Sequence, residues 1–180
     1  TAVNHPNQKL ARRLCVRFTK GLRLGDPAYC QSIIDDAFNQ KLSPSVIYTE
    51  IISPANIEIG NLWHSGLITV AREHMSTQIS LRTIDKVADV ATTSSNNGLS
   101  IIVTSVQGDF HCVGAKMLAN LLSIDGWNVY YLGYDTPVNE VAALAEENRV
   151  DAVAISVTIV KNIPNARACI RKIEGLECPP

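Results

Sequence analysis

The feature that most constrains this chain is a change of hydrophobic rhythm near residue 95. Beyond it come three continuous apolar runs, residues 99–106, 127–132 and 152–157, alternating with stretches of helical period at 111–124, 137–148 and 163–173. A strand that alternates apolar and polar residues leaves one face to water, whereas a strand apolar throughout needs cover on both. Such strands interleaved with helices predict a parallel sheet covered by helices on its two faces. Three strand–helix units make a short sheet, and the expectation is that it is cut short at its C-terminal end while the native protein continues.

Before residue 95 the period is helical. Leu10, Leu14, Phe18 and Leu22 recur at fourfold spacing. Asp26-Pro27 and Ser43-Pro44 each read as an N-cap followed by proline in the first helical position, opening helices toward Lys41 and Trp63. Pro54 lies inside the second of these and predicts a kink. Gly66 ends that helix, and Thr69 caps a fourth running to about Ala91. Four helices with short connections predict a bundle. Residues 91–98, ATTSSNNG, are small, polar and turn-rich, and divide the chain into domains 1–93 and 98–180.

A formal net charge of −1 gives no general attraction to nucleic acid or membrane. No apolar run approaches the roughly 18 residues of a membrane span, and the N-terminus shows no signal-peptide core. Cys15, Cys30, Cys112, Cys169 and Cys178 are odd in number and scattered, which predicts reduced thiols in a cytoplasm. Charge is concentrated in one place. Residues 1–25 hold Lys9, Arg12, Arg13, Arg17, Lys20 and Arg23 and no acid. The stretch reads as a basic amphipathic helix, either packed on the bundle with a solvated outer face or in contact with an acidic partner.

The residues with chemistry sit at strand ends. Asp109-Phe110-His111-Cys112-Val113-Gly114 follows the first apolar run as D-x-H-x-x-G, and 41 residues separate Gly114 from Ser156 in Ser156-Val157-Thr158. In open parallel sheets, ligands bind at the carboxyl ends of strands near a topological switch point. Asp109 can accept a hydrogen bond from one ring nitrogen of His111, fixing the tautomer and making the other nitrogen a better metal donor. Gly114 removes a side chain where a bulky ligand would pass the first helical turn. Taken alone, the motif also fits a helix-capping histidine beside a turn aspartate.

With its spacing to Ser156, the pattern resembles the base-off/His-on cobalamin-binding domains, a family that includes methionine synthase, corrinoid methyltransferase carriers and B12-dependent mutases. The resemblance implies that His111 is the lower axial ligand of cobalt. It would displace the cofactor's own dimethylbenzimidazole, whose tail would lie beside Ser156 and Thr158, with Thr158 standing where leucine is commoner. Asp109, Phe110 and Gly114 would complete the cofactor contacts. Gly133-Tyr134-Asp135-Thr136-Pro137 resembles the family's turn after the second strand. The family's Gly-Gly falls beyond the end of this chain. The implied architecture is a four-helix bundle capping a Rossmann-like (flavodoxin-like) domain.

A second constellation lies in the bundle. Trp63-His64 is followed by Glu73-His74, with nine residues between Trp63 and Glu73. This W-x9-E-H set resembles the CarH-type photoreceptors, which use adenosylcobalamin as chromophore. That resemblance implies a light sensor and regulator, not an enzyme. Trp63, Glu73 and His74 would contact the adenosyl group, and His64 would become the upper cobalt ligand after light. The output would be a change of homo-oligomer or of a regulatory protein partner. The helix-turn-helix that such proteins carry is absent from this chain, which leaves direct DNA binding in doubt. Two other readings stay open: a corrinoid carrier for methyl transfer, and a B12 sensor independent of light.

Overall fold

The computed structural model describes residues 6–180. Residues 1–5, counted above within the bundle domain, lie outside the described residues. The chain divides into two compact units between Ala91 and Thr92.

The first unit is built of helices. Helix α1, Pro6–Leu24, buries Ala11, Leu14, Phe18 and Leu22 along one side. It leaves Lys9, Arg12, Arg13, Lys20 and Arg23 exposed on the other. Asp26 caps α2, Pro27–Asn39, by accepting from the Tyr29 N–H at 2.9 Å. Helix α3 runs in three segments, Pro44–Val46, a π-helical stretch Ile47–Ile52, and Ser53–His64. The kink expected at Pro54 takes the form of this π-helical stretch. Proline has no N–H to continue the ladder, and the preceding backbone widens so that the Ser53 N–H reaches back to the Tyr48 carbonyl. Pro54 then occupies the first turn of a fresh α-helical segment, where no N–H is needed. Tyr48, fully buried in the π-helical stretch, donates its hydroxyl to the Ile84 carbonyl at 2.8 Å. This ties α3 to α4, Val70–Val90, which Thr69 caps through the Arg72 N–H. Ile33, Ile34, Ile51, Ile52, Ile59 and Ile84 complete the buried center.

The second unit is a three-stranded parallel sheet in the order β2-β1-β3, with β1 Ser100–Val106, β2 Asn128–Thr136 and β3 Ala152–Ser156. Central β1 is apolar on both sides because both are covered. Ile102 belongs to a cluster with Val141, Ala142 and Ala145 of α6 (Val138–Asn148) and Cys169 and Ile173 of α7 (Ile163–Glu174). Its neighbors Ile101 and Val103 meet Ala115 and Ala119 of α5 (Val113–Ile124) on the opposite face. Since β2 follows β1 on one side and β3 lies on the other, the chain's direction of progress reverses at β1, and the switch point falls between the carboxyl ends of β1 and β3.

Two boundaries differ from expectation. β2 continues past Leu132 to Thr136, absorbing Gly133 (φ 80°) and Asp135 (φ 56°) as irregularities against Thr104 and Val106 rather than ending in a turn. Helix α5 begins at Val113 and not at His111, because the His111 N–H is taken by the Asp109 side chain at 3.1 Å. This local Asx bond competes with the helix. Among the described residues no helix is long and apolar enough to cross a membrane.

The segment before β1 is tied down: Ser94 and Asn97 donate to Ile124 and Gly126 at the end of α5. Gly126 has φ 92°, and a Cβ there would meet the Ser95 carbonyl oxygen at 2.3 Å. Gly60, inside α3, would meet nothing within 4 Å. Gly126→Ala is therefore expected to destabilize by about 2 kcal/mol or more. Gly60→Ala is expected to stabilize by about 0.5–1 kcal/mol. Urea unfolding of the two variants checks the contrast.

Candidate functional site

The center of the strand-end site is a buried carboxylate. Asp109 follows β1 and is fully buried. Its Oδ2 accepts the Thr158 N–H at 2.7 Å and the Ile159 N–H at 3.2 Å, both just beyond β3. Its Oδ1 accepts the His111 N–H at 3.1 Å and faces the His111 Nδ1 at 2.8 Å. Burial alone would raise its pKa. Four hydrogen bonds to the ionized form, led by that of Thr158, outweigh burial and hold it down to about 2. Asp109 thus closes the switch point, joining the ends of β1 and β3 with one side chain.

In the neutral His111 ring, the bond to Asp109 places the proton on Nδ1 and leaves the Nε2 lone pair available. The ring is 56% exposed while its carboxylate partner is fully buried. The Ser105 hydroxyl holds the His111 carbonyl at 2.7 Å, and Tyr131 reaches the Cys112 carbonyl at 3.4 Å. The result is a fixed imidazole with one free nitrogen at the mouth of the sheet.

The surroundings are open and apolar. Phe110 is exposed and packs on Tyr134, ring centroids 5.9 Å apart. Nothing lies within 4 Å of where a Cβ on Gly114 or Gly133 would stand. Ser156 sits at the end of β3 in register with Ser105 of β1. Thr158 joins the site through its backbone N–H rather than its hydroxyl, a contact that any non-proline residue can supply. Its departure from leucine leaves that bond intact.

Sequence reasoning missed the asparagines that hold this loop. Asn162 Nδ2 donates to the Gly108 carbonyl at 3.0 Å, and Asn165 Nδ2 donates to that of Gln107 at 2.9 Å. Asp135, noted only as part of a turn, accepts the Gly108 N–H at 2.8 Å. A lone asparagine after a strand carries no spacing signal that would have marked it.

In the helical unit, Trp63 and His64 end α3 with their rings edge to face, centroids 6.2 Å apart and Trp63 45% exposed. Glu73 and His74 lie in the first turns of α4. The two Glu73 oxygens are committed locally, Oε2 to His74 Nδ1 at 2.6 Å and Oε1 to the Thr77 hydroxyl at 2.9 Å. No hydrogen bond among the described residues joins Trp63 or His64 to this pair.

Among the described residues no three His, Cys, Asp or Glu side chains gather into a metal-binding group. A single imidazole suffices only for a metal that brings its other donors with it, as cobalt does within a corrin ring. The free Nε2 and the open space over Gly114 and Gly133 fit such a group.

A parallel α/β unit with a carboxylate-anchored imidazole at its switch point, preceded by a helical unit, defines a cofactor-binding module. Residues 99–177 match the B12 binding domain family, and residues 14–86 match a second family of the same description. Each unit of the chain thus matches a family described as a B12 binding domain. The chain is 25% identical over 140 residues to dimethylamine corrinoid protein 1 of Methanosarcina acetivorans, covering 76% of this chain and 66% of that one. It is 26% identical over 156 residues to methionine synthase of Mycobacterium tuberculosis, covering 85% of this chain and 13% of that one. The chain thus spans 66% or less of the length of these relatives. The structure of the Methanosarcina barkeri monomethylamine corrinoid protein shares its fold, with a TM-score of 0.71 at 16% identity over 96% of this chain and 80% of that one.

These relatives overturn the photoreceptor reading. Relatives similar to this chain across both units are corrinoid proteins named for methylamines and methionine synthases. The role of His64 as a ligand formed by light falls with that reading.

The depressed pKa of Asp109 has a measurable consequence. A carboxylate whose folded pKa lies below its unfolded value stabilizes the fold above the unfolded value. That contribution is lost as pH falls through the folded one. From 3.8 to about 2, the stake is about 2 kcal/mol. Urea unfolding of the apoprotein is expected to show this loss between pH 4 and pH 2, and Asp109→Asn is expected to flatten that window.

Proposed function

We propose that this chain is a corrinoid carrier. It would bind cobalamin through His111 and present the cofactor for methyl exchange with partner methyltransferases. The observation that carries the reading is the His111 ring, its Nδ1 held by buried Asp109 and its Nε2 free at the β1/β3 switch point. The names of the relatives support the direction: dimethylamine corrinoid proteins and methionine synthase.

When bound, cobalamin supplies a cobalt center that takes up and gives away a methyl group. The chain's residues bind and orient. His111 offers one ring nitrogen in a held orientation. Asp109 accepts from Nδ1, and its charge raises the donor strength of Nε2. Gly114 leaves room beside the ring, and Phe110 with Tyr134 gives apolar surface for the macrocycle. Ser156 and Thr158 would help to hold the cofactor's nucleotide tail. The methyl-carrying form, rather than the adenosyl form, is the cofactor state that this role calls for.

The test is reconstitution with methylcobalamin followed by methyl delivery to a thiol acceptor through a corrinoid-dependent methyltransferase. The loaded chain is expected to outperform free methylcobalamin at equal concentration. His111→Ala is expected to bind the cofactor at least tenfold more weakly. Equal rates with and without the protein would contradict the proposal.

A further inference from the structure

We propose that Asn162 and Asn165 are positioning residues for the cobalt ligand, forming a clamp that sets His111 from outside the D-x-H-x-x-G motif. The inference rests on the reading of His111 as the axial ligand. Both backbone polar groups of Gly108 are held by side chains: its N–H by Asp135 Oδ1 at 2.8 Å, and its carbonyl by Asn162 Nδ2 at 3.0 Å. Asn162 is 4% exposed, an expensive place for an amide unless its bonds are made. Gly108 has φ 84°, and a Cβ there would stand 3.2 Å from Asn162 Oδ1. The glycine therefore serves both the left-handed turn and the close approach of the amide. One residue earlier, the Gln107 carbonyl accepts from Asn165 at 2.9 Å. One residue later, Asp109 is bound by the Thr158 and Ile159 N–H groups.

Residues 107, 108 and 109 are thus each bonded to the stretch 158–165, and His111 begins two residues on. The imidazole's bearing is fixed by the carboxylate of Asp109, and the backbone bearing of Asp109 is fixed by this clamp. A metal ligand displaced by about 1 Å loses coordination strength out of proportion to the contact removed. The asparagine bonds are to Gly108 and Gln107, not to His111. Their action runs through the loop backbone.

The experiment uses the whole chain with cob(II)alamin, reading the visible spectrum for histidine coordination and the dissociation constant by titration. Asn162→Ala, Asn165→Ala and His111→Ala are compared with the wild type, with circular dichroism as the check on folding. Asn162→Ala is expected to keep the fold, weaken binding about tenfold and shift the bound cofactor toward the histidine-free spectrum. Asn165→Ala, at an exposed position, is expected to move both readouts the same way by a smaller factor. It decides the matter alone if Asn162→Ala does not fold. Unchanged spectra and affinities in the asparagine variants, with His111→Ala losing the coordinated spectrum, would overturn the clamp and leave the carrier reading standing. An unchanged His111→Ala spectrum would overturn the ligand assignment and the clamp with it.

Discussion

The strand-end site depends on one buried carboxylate. Asp109 is removed from water, and burial alone would drive it toward neutrality. Four N–H donors keep it ionized instead, two from the segment after β3 and two from His111. That arrangement does two things at once. It joins the carboxyl ends of the two strands between which the sheet reverses direction, and it selects the tautomer and aim of the imidazole beside them. A charge satisfied this completely is rigid, because moving it would leave a buried anion or several buried N–H groups unpaired.

The rest of the sheet unit supports this point. The bulged end of β2, with Gly133 and Asp135 at positive φ, turns Asp135 onto the Gly108 N–H and Tyr134 onto Phe110. Ser105, inside β1, reaches forward to the His111 carbonyl. The loop that carries the histidine is thereby bonded to all three strands or the segments that follow them. A loop held from so many directions presents its ligand before any cofactor arrives, which lowers the ordering cost of binding.

Much of this was legible in the sequence, for identifiable reasons. Continuous apolar strands alternating with helices announced the covered parallel sheet, and Asp26, Ser43 and Thr69 marked helix starts because capping is a local, one-residue chemistry. The Asp109–His111 bond was also readable, since two residues span it. What escaped was of two kinds. Asn162 and Asn165 act on Gly108 and Gln107 across more than fifty positions, and no periodicity marks such a contact. The extension of β2 was hidden because residues at positive φ read as a turn, whereas the edge strand takes them up as bulges. The Trp63-His64 and Glu73-His74 pattern misled for a different reason. Trp63, His64 and His74 are exposed residues at the ends of α3 and α4, and such residues suit several surfaces. The similarity to corrinoid proteins along both units weighs more than that short pattern.

The most direct test of the central claim is electron paramagnetic resonance of cob(II)alamin bound to protein grown with 15N-histidine. If His111 Nε2 ligates cobalt, the superhyperfine lines must change from the triplets of a 14N ligand to the doublets of a 15N ligand, and His111→Ala must abolish the change. Triplets that persist in the labeled wild-type protein would mean that the cofactor keeps its own base, and that the imidazole held by Asp109 is not the cobalt ligand.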